Sequence, residues 1–178
     1  MKEVNATGYM DLDGVTAIGK MNQVCLSGGI IEKSSVGIQQ KLILGDNFGS
    51  VHLFDVSRKL ALDKLAIPRY QGRRILNIST ATIEWIDTRL TYIAVIARGS
   101  PVISIIAFKQ NENKLYHLNS INMCPELENT DELEKNDGQT YRMLPSEGKL
   151  SQDCEFLQVT NFDGSIVLIK MPPIIDPL

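Results

Sequence analysis

Two neighbouring segments, Leu90–Ala97 and Val102–Phe108, are apolar at nearly every position. A strand with one face in water alternates apolar and polar residues, so a strand without alternation is covered on both faces. The β-branched residues in both segments favour strand over buried helix. We therefore expect several small sheets stacked face to face, an arrangement that covers both faces more readily than a two-layer sandwich does.

Strand signals also dominate the rest of the chain. Short runs rich in Ile, Val, Leu, Tyr and Phe are separated by residues typical of turns. Their close spacing leaves little room for helical crossovers, which disfavours a parallel α/β fold. We predict an all-β protein, with 14–20 and 23–27 as candidates for one or two further strands. The predicted strands cover residues 41–45, 51–56, 75–79, 90–97, 102–108 and 114–121.

Residues 41–56 and 155–171 repeat one unit, in which an apolar strand meets a Gly-Ser turn and a second apolar strand follows. Aligning Gly49 with Gly164 brings the flanking apolar positions into register. A tight hairpin needs a residue that tolerates positive φ, which both glycines supply. Asp163 can bond to its own backbone and hold the second turn. Repeated hairpins are typical of folds that stack small sheets.

The first unit resembles the inner hairpin of a WD-repeat blade. Leu42–Val56 has the apolar strand, the turn ending in Gly49-Ser50, and the closing aromatic-Asp pair. Phe54-Asp55 stands where that family usually has Trp-Asp. The resemblance implies that Phe54 fills the space between neighbouring sheets.

The second unit, Asn161–Lys170, resembles the family through its Asp163-Gly164-Ser165 turn, although it closes with Ile169-Lys170. The middle group, Arg89–Met123, keeps the strand spacing without either signature. The resemblance implies a partial β-propeller of about three to four antiparallel WD40-like blades.

Closure of a propeller takes about four to eight blades of about 40–45 residues, more than the three blade-like groups in this chain. We therefore expect 1–178 to be a single propeller-like domain or a segment of a larger one. Its open sheet edges are expected to self-associate. Residues 124–138 carry six acids against one lysine, so we predict an exposed acidic insertion at about 124–153.

The composition narrows the classes of partner. The net charge is −3 and the pI is near 5.4, so we expect neither nucleic acid nor membrane as a partner. Arg73-Arg74 is an adjacent basic pair, and we interpret it as a solvated loop. Three cysteines without CxxC spacing are interpreted as free thiols in a reducing compartment, which predicts a cytoplasmic protein.

The sequence offers no convergent acid, base and nucleophile. His52 and His117 both lie in predicted strands and are interpreted as structural or surface residues. We predict no catalytic, cofactor-binding or metal-binding residues, and no cofactor. Trp85 could anchor a partner, but core packing is the favoured interpretation.

The leading functional hypothesis is a non-enzymatic, WD-repeat-like scaffold that docks other proteins within a multiprotein complex. Family resemblance implies contacts on the loops and the channel rim, and cytoskeletal or axonemal assemblies are one setting for such repeats. The alternative is a β-barrel or sandwich that binds a small apolar ligand, because the same apolar strands could line a cavity.

Overall fold

The computed structural model describes residues 24–33, 40–55, 58, 60–85, 88–109, 112–125 and 142–172. This part of the chain contains eleven strands and one turn of 3-10 helix at Pro68–Tyr70, and the strands form three antiparallel sheets. In each sheet the strands lie side by side in chain order. The first sheet contains β1 (Val24–Lys33), β2 (Gln40–Asp46), β3 (Ser50–Asp55) and β4 (Leu60–Ala66); the second β5 (Ile75–Trp85), β6 (Thr88–Ala97), β7 (Val102–Lys109) and β8 (Lys114–Asn122); the third β9 (Pro145–Leu150), β10 (Phe156–Asn161) and β11 (Ile166–Lys170).

The all-β prediction is confirmed, and three stacked antiparallel sheets are the architecture of a partial propeller. Each of the six strands predicted from apolar runs is present, most of them longer than predicted. β1 extends the candidate at 23–27, whereas the candidate at 14–20 lies outside the described residues. The described strands form neither a closed barrel nor a two-layer sandwich, because the second sheet is a separate middle layer.

The second sheet is covered on both faces, as its sequence predicts. Alternate residues of β6 enter different apolar clusters: Ile93 and Val95 face the first sheet, whereas Ala94 and Ile96 face the third. All four side chains are fully buried. Burying an Ile or Val side chain contributes about 1.5–3 kcal/mol each, so these two clusters supply much of the stability of the stack.

Phe54 is buried, but it does not fill the space between the first and second sheets. Its neighbour Leu53 belongs to that cluster, and successive strand residues point to opposite faces. Phe54 therefore lies on the outer face of the first sheet, where its ring stacks on His52 with centroids 6.3 Å apart.

Tyr70 anchors the chain segment that connects the first sheet to the second. It ends the 3-10 turn, and its buried hydroxyl lies 2.7 Å from the carbonyl oxygens of both Val95 and Val102. The same oxygen accepts the N–H of Ser104 at 2.9 Å. Burial raises the pKa of Tyr70 far above its ordinary value, so the hydroxyl keeps the proton that it donates to one of these carbonyls.

Side chains of β5 hold the third sheet against the second sheet through hydrogen bonds to β9. Asn77 Oδ1 accepts the N–H of Gly148 at 3.1 Å, and Ser79 Oγ accepts the N–H of Leu150 at 2.9 Å. These bonds occupy donors on the edge of β9 that faces away from β10, so that edge is covered. The two successive bonds also show that β5 and β9 run in the same direction.

Strand β9 lies within the range predicted to be an exposed insertion. Leu144 and Leu150 are buried, so the exposed part cannot extend to residue 153. The acidic residues at 126–137 lie outside the described residues.

No helix in the described part of the chain is long and apolar enough to cross a membrane.

The outer face of the third sheet, which points away from the second sheet, is polar on β9 and at Gln158 of β10, but it carries the exposed apolar side chains of Ile166 and Leu168 on β11. Exposed Glu147 and Lys149 of β9 lie on it beside exposed Gln158 of β10, whereas Leu157 and Val159 point inward and are buried. This alternation is the pattern of a sheet with one wet face.

Candidate interaction surfaces

Two equivalent turns stand at one end of the stack. Gly49 and Gly164 both have φ of 85°, which confirms the predicted positive φ at each turn. Asp163 Oδ1 accepts the N–H of Ser165 at 2.8 Å, as predicted for a turn held by its own aspartate. The β6–β7 turn, with Gly99 at φ of 68°, lies at the same end. We call the end formed by these three turns the turn end.

Asp46 holds the first turn in the same way and also binds a histidine. Its Oδ1 accepts the N–H groups of Phe48 and Ser50, and its Oδ2 lies 2.9 Å from Nε2 of His52. Burial alone raises the pKa of Asp46, but the hydrogen bond from His52 and the two backbone bonds outweigh it and leave the pKa below its ordinary value. His52 thus fixes a turn, which agrees with its interpretation as a structural residue.

The second histidine is on a different sheet. His117 lies exposed in β8, with Nε2 3.1 Å from Oγ of Ser120. Burial, and then the nearby Arg69, lower the pKa of His117. The two histidines are not brought together by the fold.

The structure describes the side chains of two cysteines, Cys124 and Cys154. Cys154 is buried, and that burial raises its thiol pKa to about 11. Cys124 is half-buried. Among the described residues, no group of three or more His, Cys, Asp and Glu is arranged to hold a metal ion. Trp85 ends β5, and its side chain lies outside what the structure describes, so its role stays a prediction.

Three arginines lie at the turn end, and none of the acids described there forms an ion pair with them. The N–H of Arg98 donates to the carbonyl of Arg74 at 2.8 Å, which joins the β6–β7 turn to the segment before β5. Arg73 Nη1 donates to the carbonyl of Gly99 at 2.6 Å. We call Arg73, Arg74 and Arg98 the arginine cluster. Within the described ranges, no ion pair involves any of the three.

Among the described strands, the third sheet has one open edge, at β11. Ile166 and Leu168 are each 65% exposed, although both are apolar. The bonds of Asn161 N–H to the Ser165 carbonyl and of Met171 N–H to the Glu155 carbonyl fix the alternation of the β10–β11 ladder. In an antiparallel ladder, the intervening residues turn their backbone groups away from the partner strand. The backbone groups of Ile166 and Leu168 therefore point outward.

The chain was compared with protein families, curated proteins and solved structures. No family model and no curated protein matches it. It is similar to the crystal structure of the RRP9 WD40 repeats, with 16% identity and a TM-score of 0.47 over 73% of this chain. It is also similar to the structure of U3-55K, with 16% identity and a TM-score of 0.48 over 74% of this chain. The chain covers 38% and 39% of these two structures. The propeller-like architecture of this chain follows from the order and stacking of its own three sheets.

Proposed function

We propose that this protein is a non-enzymatic interaction module that docks other proteins within a multiprotein assembly. The observation that supports the proposal most directly is the open apolar edge of β11. The first two sheets each have four strands, whereas the third has three among the described residues. A strand from another chain would bring the third sheet to four strands.

Edge-strand addition is the mode of binding that this geometry fits. The outward N–H and C=O groups of Ile166 and Leu168 would pair with an extended segment, and their side chains would select an apolar one. A second copy of the chain is the simplest partner, because an antiparallel pair of β11 strands centred on Leu168 places Leu opposite Leu. Other proteins of the assembly would use the same edge.

The alternative hypothesis, a barrel or sandwich holding a small apolar ligand, loses its main support. The apolar residues of β6 and β7 pack into the two clusters between the sheets, so packing explains their abundance. A cytoplasmic location is part of the proposal and rests on the interpretation of the thiols, and cytoskeletal or axonemal assemblies are one setting for such repeats.

A charge placed on the open edge tests the proposal. Leu168→Lys should abolish pairing at β11 at little cost to folding, because Leu168 is already mostly exposed. Gln158→Lys is the matched control, since Gln158 is exposed, lies directly opposite Leu168 in the ladder and belongs to the central strand. Sedimentation velocity over a concentration series would follow self-association, and cross-linking with mass spectrometry would identify strands bound at β11.

The wild type and Gln158→Lys should associate, whereas Leu168→Lys should sediment as a monomer and lose cross-links at β11. Circular dichroism would confirm that all three proteins are folded. Identical sedimentation and identical cross-links for all three would contradict the proposal.

A further inference from the structure

We propose that the arginine cluster is a second docking site, which binds a short acidic segment of a partner protein. The inference rests on the proposed function only in that both treat the chain as an interaction module. The cluster and the edge of β11 lie on different sheets, so either site can fail without the other.

The backbone places the three arginines together in a fixed way. Arg98 and Arg74 are joined by the 2.8 Å hydrogen bond between their main chains, although they are far apart in sequence. The guanidinium of Arg73 is held against the β6–β7 turn by its bond to the Gly99 carbonyl. Arg74 and Arg98 are exposed, so their guanidinium groups are accessible to a ligand. Because the side chain of Arg73 is already held, it loses less entropy when the ligand arrives.

The charge of the cluster is not neutralised by the acids described at the same end. Both carboxylate oxygens of Asp46 are occupied by the N–H groups of its own turn and by His52. Hydrogen bonds from Ser165 lower the pKa of Asp163 most, and the nearby charge of Arg142 lowers it further. Three like charges repel one another, and an anionic ligand would remove this repulsion.

The surroundings favour a peptide over a nucleic acid. Phe48 is 53% exposed, and its carbonyl accepts the N–H of Gly72, which directly precedes Arg73. A peptide that combines carboxylates with an apolar side chain would contact both the arginines and this ring. Nucleic acid is held by many phosphate contacts, whereas this cluster is small and the whole chain carries a net charge of −3.

The binding test uses a fluorescein-labelled peptide of alternating Asp, Glu and Leu, measured by fluorescence anisotropy with the full chain. The double variant Arg74→Gln, Arg98→Gln removes two exposed charges. Arg142→Gln is the matched control, because Arg142 is also exposed near the turn end but lies outside the cluster. A peptide with Gln and Asn in place of the acids, and a single-stranded RNA of equal length, complete the set.

We expect the wild type to bind the acidic peptide. The double variant should bind it at least roughly tenfold more weakly, since each of its two substitutions removes a charge-assisted hydrogen bond. Arg142→Gln and Leu168→Lys should bind like the wild type, which separates this site from the open edge. Binding should also weaken with added salt.

Four results would overturn the proposal. The first is an absence of binding by the wild type, and the second is an equal loss of binding in Arg142→Gln. The third is cluster-dependent binding of the RNA that is tighter than that of the peptide, which would assign the site to nucleic acid. The fourth is peptide binding that appears only after residues 126–137 are deleted, which would assign the cluster to the chain's own acidic stretch.

Discussion

Replacing each turn glycine with alanine separates backbone strain from steric contact. Gly49 and Gly164 share the same φ of 85° and occupy equivalent turns. A Cβ on Gly49 would lie 2.0 Å from the carbonyl oxygen of Tyr70, whereas a Cβ on Gly164 would have nothing within 4 Å. Both variants are destabilised by the positive φ, and only Gly49→Ala is also destabilised by the steric contact with Tyr70.

The expected magnitudes follow from that difference. A left-handed conformation costs an L-residue roughly 1–2 kcal/mol, so Gly164→Ala should lower the free energy of unfolding by about that amount. Gly49→Ala should lose a further 1–3 kcal/mol or so, the usual cost of overpacking a filled site. The carbonyl of Tyr70 cannot move away freely, because the Tyr70 hydroxyl is bound between β6 and β7. In a chain of this size each kcal/mol corresponds to a shift in melting temperature of about 2–4 °C.

Urea unfolding followed by far-ultraviolet circular dichroism would measure both variants against the wild type. Equal destabilisation of the two variants would refute the packing of Tyr70 against Gly49. A neutral Gly164→Ala would refute the strained turn at the third sheet.

Three further predictions concern the bonds that hold the sheets. Tyr70→Phe should lower the free energy of unfolding by about 1–3 kcal/mol in urea titrations, because it leaves the buried N–H of Ser104 without its acceptor. Asn77→Ala should speed hydrogen exchange at the Gly148 amide, since the variant removes the side chain that caps it. The pKa of Asp46 is lowered in the folded state, so its carboxylate stabilises the fold above its ordinary pKa of 3.8, and this contribution is lost as the pH falls below that value. The stability advantage of the wild type over Asp46→Asn should therefore shrink between about pH 5 and about pH 2, as followed by urea unfolding at each pH.

The second sheet and the two glycine turns are predictable from sequence because each depends on the residues of one short segment. The unbroken apolar runs at Leu90–Ala97 and Val102–Phe108 require cover on two faces, and the second sheet receives it. Gly49 and Gly164 likewise occupy turns that demand positive φ. In both cases one short segment carries the whole signal.

The strands that sequence reasoning missed lack such a signal. β4 is the outer strand of its sheet and is half exposed, so its apolar residues are interrupted by Asp63 and Lys64. β9 contains proline, glycine and charged residues, and its place depends on β10 and on side chains of β5. The arginine cluster was missed because Arg98 reaches Arg74 only after the β5–β6 hairpin has formed.

Under the proposed pairing at β11, the charged residues on the outer face of the third sheet would set the direction in which an assembly grows. Stacking another sheet on Glu147 and Lys149 would desolvate both charges, which costs several kcal/mol for each charge left unpaired. Sideways extension along β11 meets no such barrier, because among the described strands the outward backbone groups of Ile166 and Leu168 have no partner strand. Under the proposed function, further copies of the chain should therefore add strands at the β11 edge of the third sheet and should not stack on its outer face.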